Sequence, residues 1–299
     1  MATPYITPDV LISAPTGIAW STVPFPKASP QQQLAEQTNI CNRVTAEIDA
    51  YCNQVLRATI DVEERDGPDY TITISRRGAR MALSRWPILS VLSAQYCGSA
   101  VFPRSWITIP TNMLALEYST PGVFGSSAPD DAAAGPNALI LGPGYLDWSN
   151  GRNGWRLQVT YVNGWPHCGL TQPSLAGATS LQVDDCTGWA NVIGTVYDGD
   201  STESATALSA SATMGPGTLT LSRPLTYAHP VGRIFTALPG NIQQAAIFFA
   251  MAQALTRGTT ATTVQSLPGS TSGGVGMDVG ELKTEAERLC DPFRRVAVA

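Results

Sequence analysis

The sequence predicts an α+β chain, in which a small helical bundle carries a β region and an inserted all-β module. Three observations predict it. Apolar residues recur at helical spacing between 30 and 55 and again after Pro239. Between about 60 and 161 the period falls to two, and after Pro166 short alternating runs are separated by Gly, Asp and Pro turns. The division that follows is an extended N-terminal arm over 1–28, a core of helices and strands over 29–166 and 238–299, and a sandwich or barrel-like insert over 167–237. With 299 residues the chain can bury a sizeable core without disulfides.

The arm is expected because Pro4, Pro8, Pro15, Pro24 and Pro26 stand among Ser and Thr, a composition that resists helix and suits packing on a neighbouring subunit. Ser29 then offers an N-cap, Pro30 the first helical position and Gln32 the return half of a capping box. Leu34, Cys41, Val44, Ile48, Tyr51 and Val55 share one face of the helix that follows, roughly seven turns long. Tyr70, Ile72 and Ile74 alternate with threonines, and Trp155, Leu157, Val159 and Tyr161 alternate with Arg156, Gln158 and Thr160, so both runs are strands with one wet face. Strands are also expected at 88–96 and 106–109, with a mobile loop over 122–135.

In the insert, strands are expected at 180–183, 194–197 and 218–221. After Pro239, Ile242, Ala245, Phe249 and Ala252 form one stripe while Phe248, Met251 and Leu255 form another, so this helix should be buried on both sides. Gly258 suits its C-cap, 259–280 reads as a flexible connection, and a last helix over 281–290 ends at Asp291-Pro292.

Composition narrows the function classes. Charged residues make up only 14%, against roughly 25% in typical soluble domains. Fewer charges then need desolvation when neighbours cover the surface. A net charge of −5 argues against duplex binding, which neutralises phosphates with Lys and Arg. Cysteines 41, 52, 97, 168, 186 and 290 have no CxxC spacing and are expected to be reduced and mostly buried, with no metal and no cofactor. The N-terminus does not resemble a secretory signal, and the apolar run at 245–252 is far short of the ~20 residues that span a bilayer.

No catalytic centre is expected. His167 and His229 each stand beside a proline in a turn-like context, where a structural role is usual. No GxSxG, P-loop or HExxH pattern occurs, and the glycines of 269–276 lack the strand and lysine of a phosphate cradle. A glycosidase would need two apposed carboxylates, whereas Asp130-Asp131, Asp184-Asp185 and Asp198-Gly199-Asp200 read as turn formers. Trp148, Trp155, Trp165 and Trp189 leave a carbohydrate-binding face as a second reading, though such residues more often fill cores.

Several strings carry a resemblance. Residues 51–61 (YCNQVLRATID), 76–91 (RRGARMALSRWPILSV) and 161–166 (YVNGWP), then Leu238-Pro239-Gly240 before an apolar helix and 289–296 (LCDPFRRV), occur in the order found in head-to-tail adaptor proteins of long-tailed bacteriophages. Residues 168–237 are a departure that many shorter adaptors lack. In that departure, 175–183 and 225–232 look like a β module that recurs in phage structural proteins.

The resemblance implies a structural virion protein at the head-tail interface, assembled in the host cytoplasm. It implies a ring of about twelve copies beneath the portal protein, touching stopper or tail-completion proteins and passing double-stranded DNA without specific binding. Another virion role, such as tail terminator or neck stopper, is the alternative. On this reading Val44, Ile48, Tyr51, Phe248, Phe249, Met251 and Leu255 supply core and subunit contacts. Asp61, Glu63, Glu64 and Asp66 suit a channel surface that repels phosphate. Pro292 stops the last helix, so Phe293 as apolar anchor with Arg294 and Arg295 as carboxylate partners is the expected dock onto portal or subunit.

Overall fold

The computed structural model describes residues 3–25, 27–66, 72–75, 78–98, 105–117, 138–141, 155–256 and 279–295. Among these, helices α1 (Pro8–Ser13), α2 (Pro30–Cys52), α3 (Gly240–Thr256) and α4 (Val279–Cys290) accompany antiparallel sheets, so the chain is α+β. The loop at 122–135 and nearly all of the connection at 259–280 lie outside the described residues; 279–280 open α4.

Helix α2 starts as its sequence dictates. Ser29 Oγ accepts from the Gln32 amide and Gln32 Oε1 accepts from the Ser29 amide, with Pro30 in the first turn. It stops at Asn53, whose φ of 52° is left-handed. Ile40, Cys41, Val44, Ile48 and Cys52 are buried. Leu34, expected on this face, is 57% exposed. Gln253 of α3 accepts from Arg43 (3.2 Å) and donates to Glu47 (2.9 Å), fixing α3 against the middle of α2.

Two compact units make up the chain, Met1–Leu56 with Pro166–Ala299, and Arg57–Trp165. This cut differs from the expected division, which grouped the strands of 57–165 with the helices and set 167–237 apart.

Among the described residues of the Arg57–Trp165 unit the strands are β1 (Thr59–Asp66), β2 (Ile72–Ser75), β3 (Gly78–Ala82), β4 (Ile88–Gly98), β5 (Ile107–Ile109), β6 (Leu114–Glu117), β7 (Ala138–Leu141) and β8 (Trp155–Asn163). They form two four-stranded sheets, ordered β1-β8-β4-β5 and β2-β3-β7-β6. Met81 and Leu139 of the second sheet share a core with Ala94, Ile109, Leu157, Val159 and Tyr161 of the first. The alternation read in β8 is what sends Leu157, Val159 and Tyr161 inward.

In the other unit, β9 (His167–Gly169), β10 (Ser180–Val183), β11 (Val192–Tyr197), β12 (Glu203–Ala210), β13 (Gly217–Leu221) and β14 (Ile234–Thr236) pair in the order β10-β13-β12-β11-β14-β9. The ends of this sheet meet. Leu170 bridges Val183, the Thr171 amide donates to Gln182 O (2.9 Å) and the Asp184 amide to Gly169 O (3.0 Å), which closes a six-stranded barrel. Inside it Trp189 stacks on Phe235, centroids 4.3 Å apart and planes 9° from parallel. Gly194 faces this stack, where a Cβ would lie 2.5 Å from Trp189 and 2.7 Å from Phe235.

The extended arm needs correcting. Residues 8–13 are helical and 20–22 form a 3-10 turn, and Tyr5, Ile6 and Leu11 have no exposed surface within this single chain. Pro8 sits where a helix start needs no amide donor, so it permits α1 and does not oppose it. The Tyr5 amide donates to Thr45 Oγ1 (3.0 Å), Tyr5 Oη donates to Asp49 and accepts from the Leu56 amide (3.0 Å), and His167 Nε2 donates to Pro4 O (2.9 Å). These contacts join the segment to both α2 and the barrel.

All six cysteines are free and buried. Burial pushes the Cys41 thiol up to about 12. A thiol-specific chromophoric reagent is therefore expected to find almost no reactive thiol in the native chain and six in denaturant; rapid native labelling of any of them would contradict the buried placement.

Candidate functional site

The C-terminal residues expected to dock elsewhere are folded onto their own chain. A 3-10 turn over Asp291–Phe293 follows α4, and Phe293 is 1% exposed. Gln54 Nε2 donates to Phe293 O (2.8 Å), and the Arg295 amide donates to Cys52 O (2.8 Å), satisfying a carbonyl that α2 leaves open at its end. Phe293 as an exposed anchor is thus corrected, since its side chain is buried within this chain. Pro292 and Arg294 remain exposed and Arg295 half-buried. The Arg294 guanidinium lies 5.3 Å from the centre of the Tyr51 ring, and Tyr51 Oη donates to Asp291 (2.6 Å). That bond to Asp291, ahead of burial and the nearby negative charges, pushes the Tyr51 phenol up to about 12.

The helix residues divide. Val44, Ile48 and Phe249 are core, whereas Tyr51, Phe248, Met251 and Leu255 are half-buried. With Ile247, also half-buried, the last three form a stripe at steps of three and four along α3. The structure thus brings Tyr51 together with Arg294, and it separates the buried from the open face of α3.

Sequence reading missed a charged cluster at the barrel. His229 is 1% exposed, with Nδ1 3.1 Å from Asp198 Oδ2 and Nε2 3.0 Å from Glu203 Oε1. Arg233 Nε donates to Asp198 (2.5 Å), and its Nη1 reaches Asp9 of α1. Asp198 and His229 each looked like turn residues, and nothing local shows that β11, β12 and β14 bring them together. Burial raises the Glu203 carboxyl, but the Thr226 and Tyr227 amides (2.8 and 2.9 Å), with His229, outweigh it and hold it below its ordinary 4.5.

A carboxylate so depressed stabilises the fold above pH 4.5, and the contribution is lost as pH falls through its folded value. Glu203→Gln is expected to cost roughly 1–3 kcal/mol at neutral pH, and the gap from wild type should close on acidification. A gap in melting temperature that stays constant as pH falls would contradict this assignment.

The acidic residues expected to line a channel are matched internally. Glu63 accepts from Arg65, from the Ser84 amide (2.9 Å) and from Tyr161 Oη (2.8 Å); burial, then the Glu63 charge, raises the Tyr161 phenol. Asp61 accepts from Asn163 (2.7 Å) and lies 3.6 Å from Arg85, and Glu64 pairs with Arg156 at 2.8 Å. Each of these three thus has a partner within the chain, while Glu64 remains exposed. The side chain of Asp66 lies outside the described residues, as do Asp130, Asp131, Trp148 and residues 269–276.

Asp184 and Asp185 cap backbone, Asp184 accepting from the Gly169 amide (2.7 Å) and Asp185 from the amides of Thr187 (2.9 Å) and Gly215 (3.1 Å). His167 opens β9 at 4% exposure, so it is a buried strand residue and not a turn. Trp165 (8%) and Trp189 (1%) are buried and offer no open ring face for a sugar. Among the described residues no cluster of His, Cys, Asp and Glu is placed to hold a metal, and no helix is long and apolar enough to cross a membrane. Compared with family models, curated proteins and solved structures, the chain finds no match.

Proposed function

We propose that this chain is a structural subunit of a tailed-phage neck, a head-to-tail adaptor that works as one copy in a ring of about twelve beneath the portal. The ring would continue the channel through which double-stranded DNA passes without specific binding, towards stopper or tail-completion proteins. The ordered series of adaptor-like strings supports this reading. The structural observation that carries it is the stripe Ile247, Phe248, Met251 and Leu255, which stays half open on a helix that is apolar nearly all round. A neighbouring copy that covers this stripe would complete the burial of α3. Few charges need desolvation in the process, since charged residues are 14% of the chain.

The test is co-sedimentation with tail-less heads that bear portal protein. The wild-type chain is expected to pellet with them, and a Met251→Asp, Leu255→Asp variant to stay in the supernatant while keeping its helical circular dichroism. A wild-type chain that fails to attach, or a variant that attaches equally well, would overturn the reading.

A further inference from the structure

Cys52 closes α2 and Cys290 closes α4, 238 positions apart in the chain, and neither has exposed surface. The Cys52 sulfur lies 3.9 Å from the Cys290 carbonyl oxygen, so the two residues meet where α2 and α4 end. Their thiols are also neighbours. Ionisation of Cys52 is pushed up first by its hydrogen bond with the Cys290 thiol, then by burial and by the charges of Cys290, Asp49 and Asp291. Three of the other cysteines are placed differently. Cys41 lies mid-helix in α2, Cys97 lies in β4, and the Cys168 sulfur turns to Phe235 O at 3.5 Å.

We propose that Cys52 and Cys290 form a disulfide site, which a small-molecule disulfide such as oxidised glutathione converts to a covalent staple between α2 and α4. One cysteine thiolate attacks the small disulfide, forming a mixed disulfide and releasing one small thiol. The second thiolate then displaces the other small thiol, so two protein thiols and one small disulfide become one protein disulfide and two small thiols. Burial makes the folded pair slow to react, and the gate is the C-terminal turn held by Tyr51 to Asp291, Gln54 to Phe293 and Arg295 to Cys52. The consequence is mechanical. The staple fastens the chain's last helix and turn to its first long helix, and it forms in a monomer and in a ring alike.

The experiment refolds the full reduced chain in a mixture of reduced and oxidised glutathione, alkylates the remaining thiols and maps linked peptides by mass spectrometry. The expected product has lost the mass of two hydrogens, joins position 52 to position 290, and melts about 5–10 °C higher than the reduced chain. Cys52→Ser should abolish both changes, with Cys290→Ser as the second variant should the first fold poorly, and Cys41→Ser should abolish neither. A Cys168 to Cys186 link in place of this one, or no intramolecular link, would overturn the proposal.

Discussion

Gly194→Ala is expected to lower the stability of the barrel by about 3 kcal/mol, the upper range for forcing volume into a packed core. The added Cβ would meet Trp189 at 2.5 Å and Phe235 at 2.7 Å, both distances that side-chain carbons do not tolerate. Neither ring can step aside easily, since Trp189 is 1% and Phe235 0% exposed and the two are stacked on each other. Denaturant titration followed by tryptophan fluorescence reads the effect. An alanine variant as stable as wild type would mean that the stack is not seated against β11.

The second large effect is expected at the C-terminus. Phe293→Ala should cost about 3–5 kcal/mol in the unit that holds the helices, because it empties a fully buried aromatic site. Truncation after Cys290 should cost at least as much, as it also removes the hydrogen bonds to Gln54 Nε2 and Cys52 O. The surface alternative makes a different forecast: an anchor reserved for a partner would leave the free subunit's stability unchanged. Thermal melting of the isolated chain separates the two, and an unaltered midpoint in Phe293→Ala would return the ring to the surface.

Local signals made much of this fold legible. The Ser29-Pro30-Gln32 pattern places the start of α2 because a capping box is written in four neighbouring residues. The alternation of 155–161 gives the inward face of β8, and 180–183 is a strand with the expected bounds. What stayed hidden depends on partners far along the chain. Tyr5 is buried because Thr45, Asp49 and Leu56 receive it, and no pattern in 1–28 announces them. The closure of β9 on β10, the stack of Trp189 on Phe235 and the meeting of His229 with Asp198 and Glu203 are likewise tertiary. Phe293 shows the limit most plainly, since an apolar residue beside two arginines reads the same whether its seat is a partner or its own chain. The half-buried stripe of α3 was legible as a second apolar stripe, and only tertiary packing decides which stripe stays open.

Self-association in the presence of portal protein bears most directly on the ring. Mass photometry of the chain alone and mixed with a phage portal protein should give a monomer in the first case. In the second it should add about twelve chains to each portal complex, with the Met251→Asp, Leu255→Asp variant adding none. A portal complex whose mass does not change when the wild-type chain is present would contradict the adaptor account.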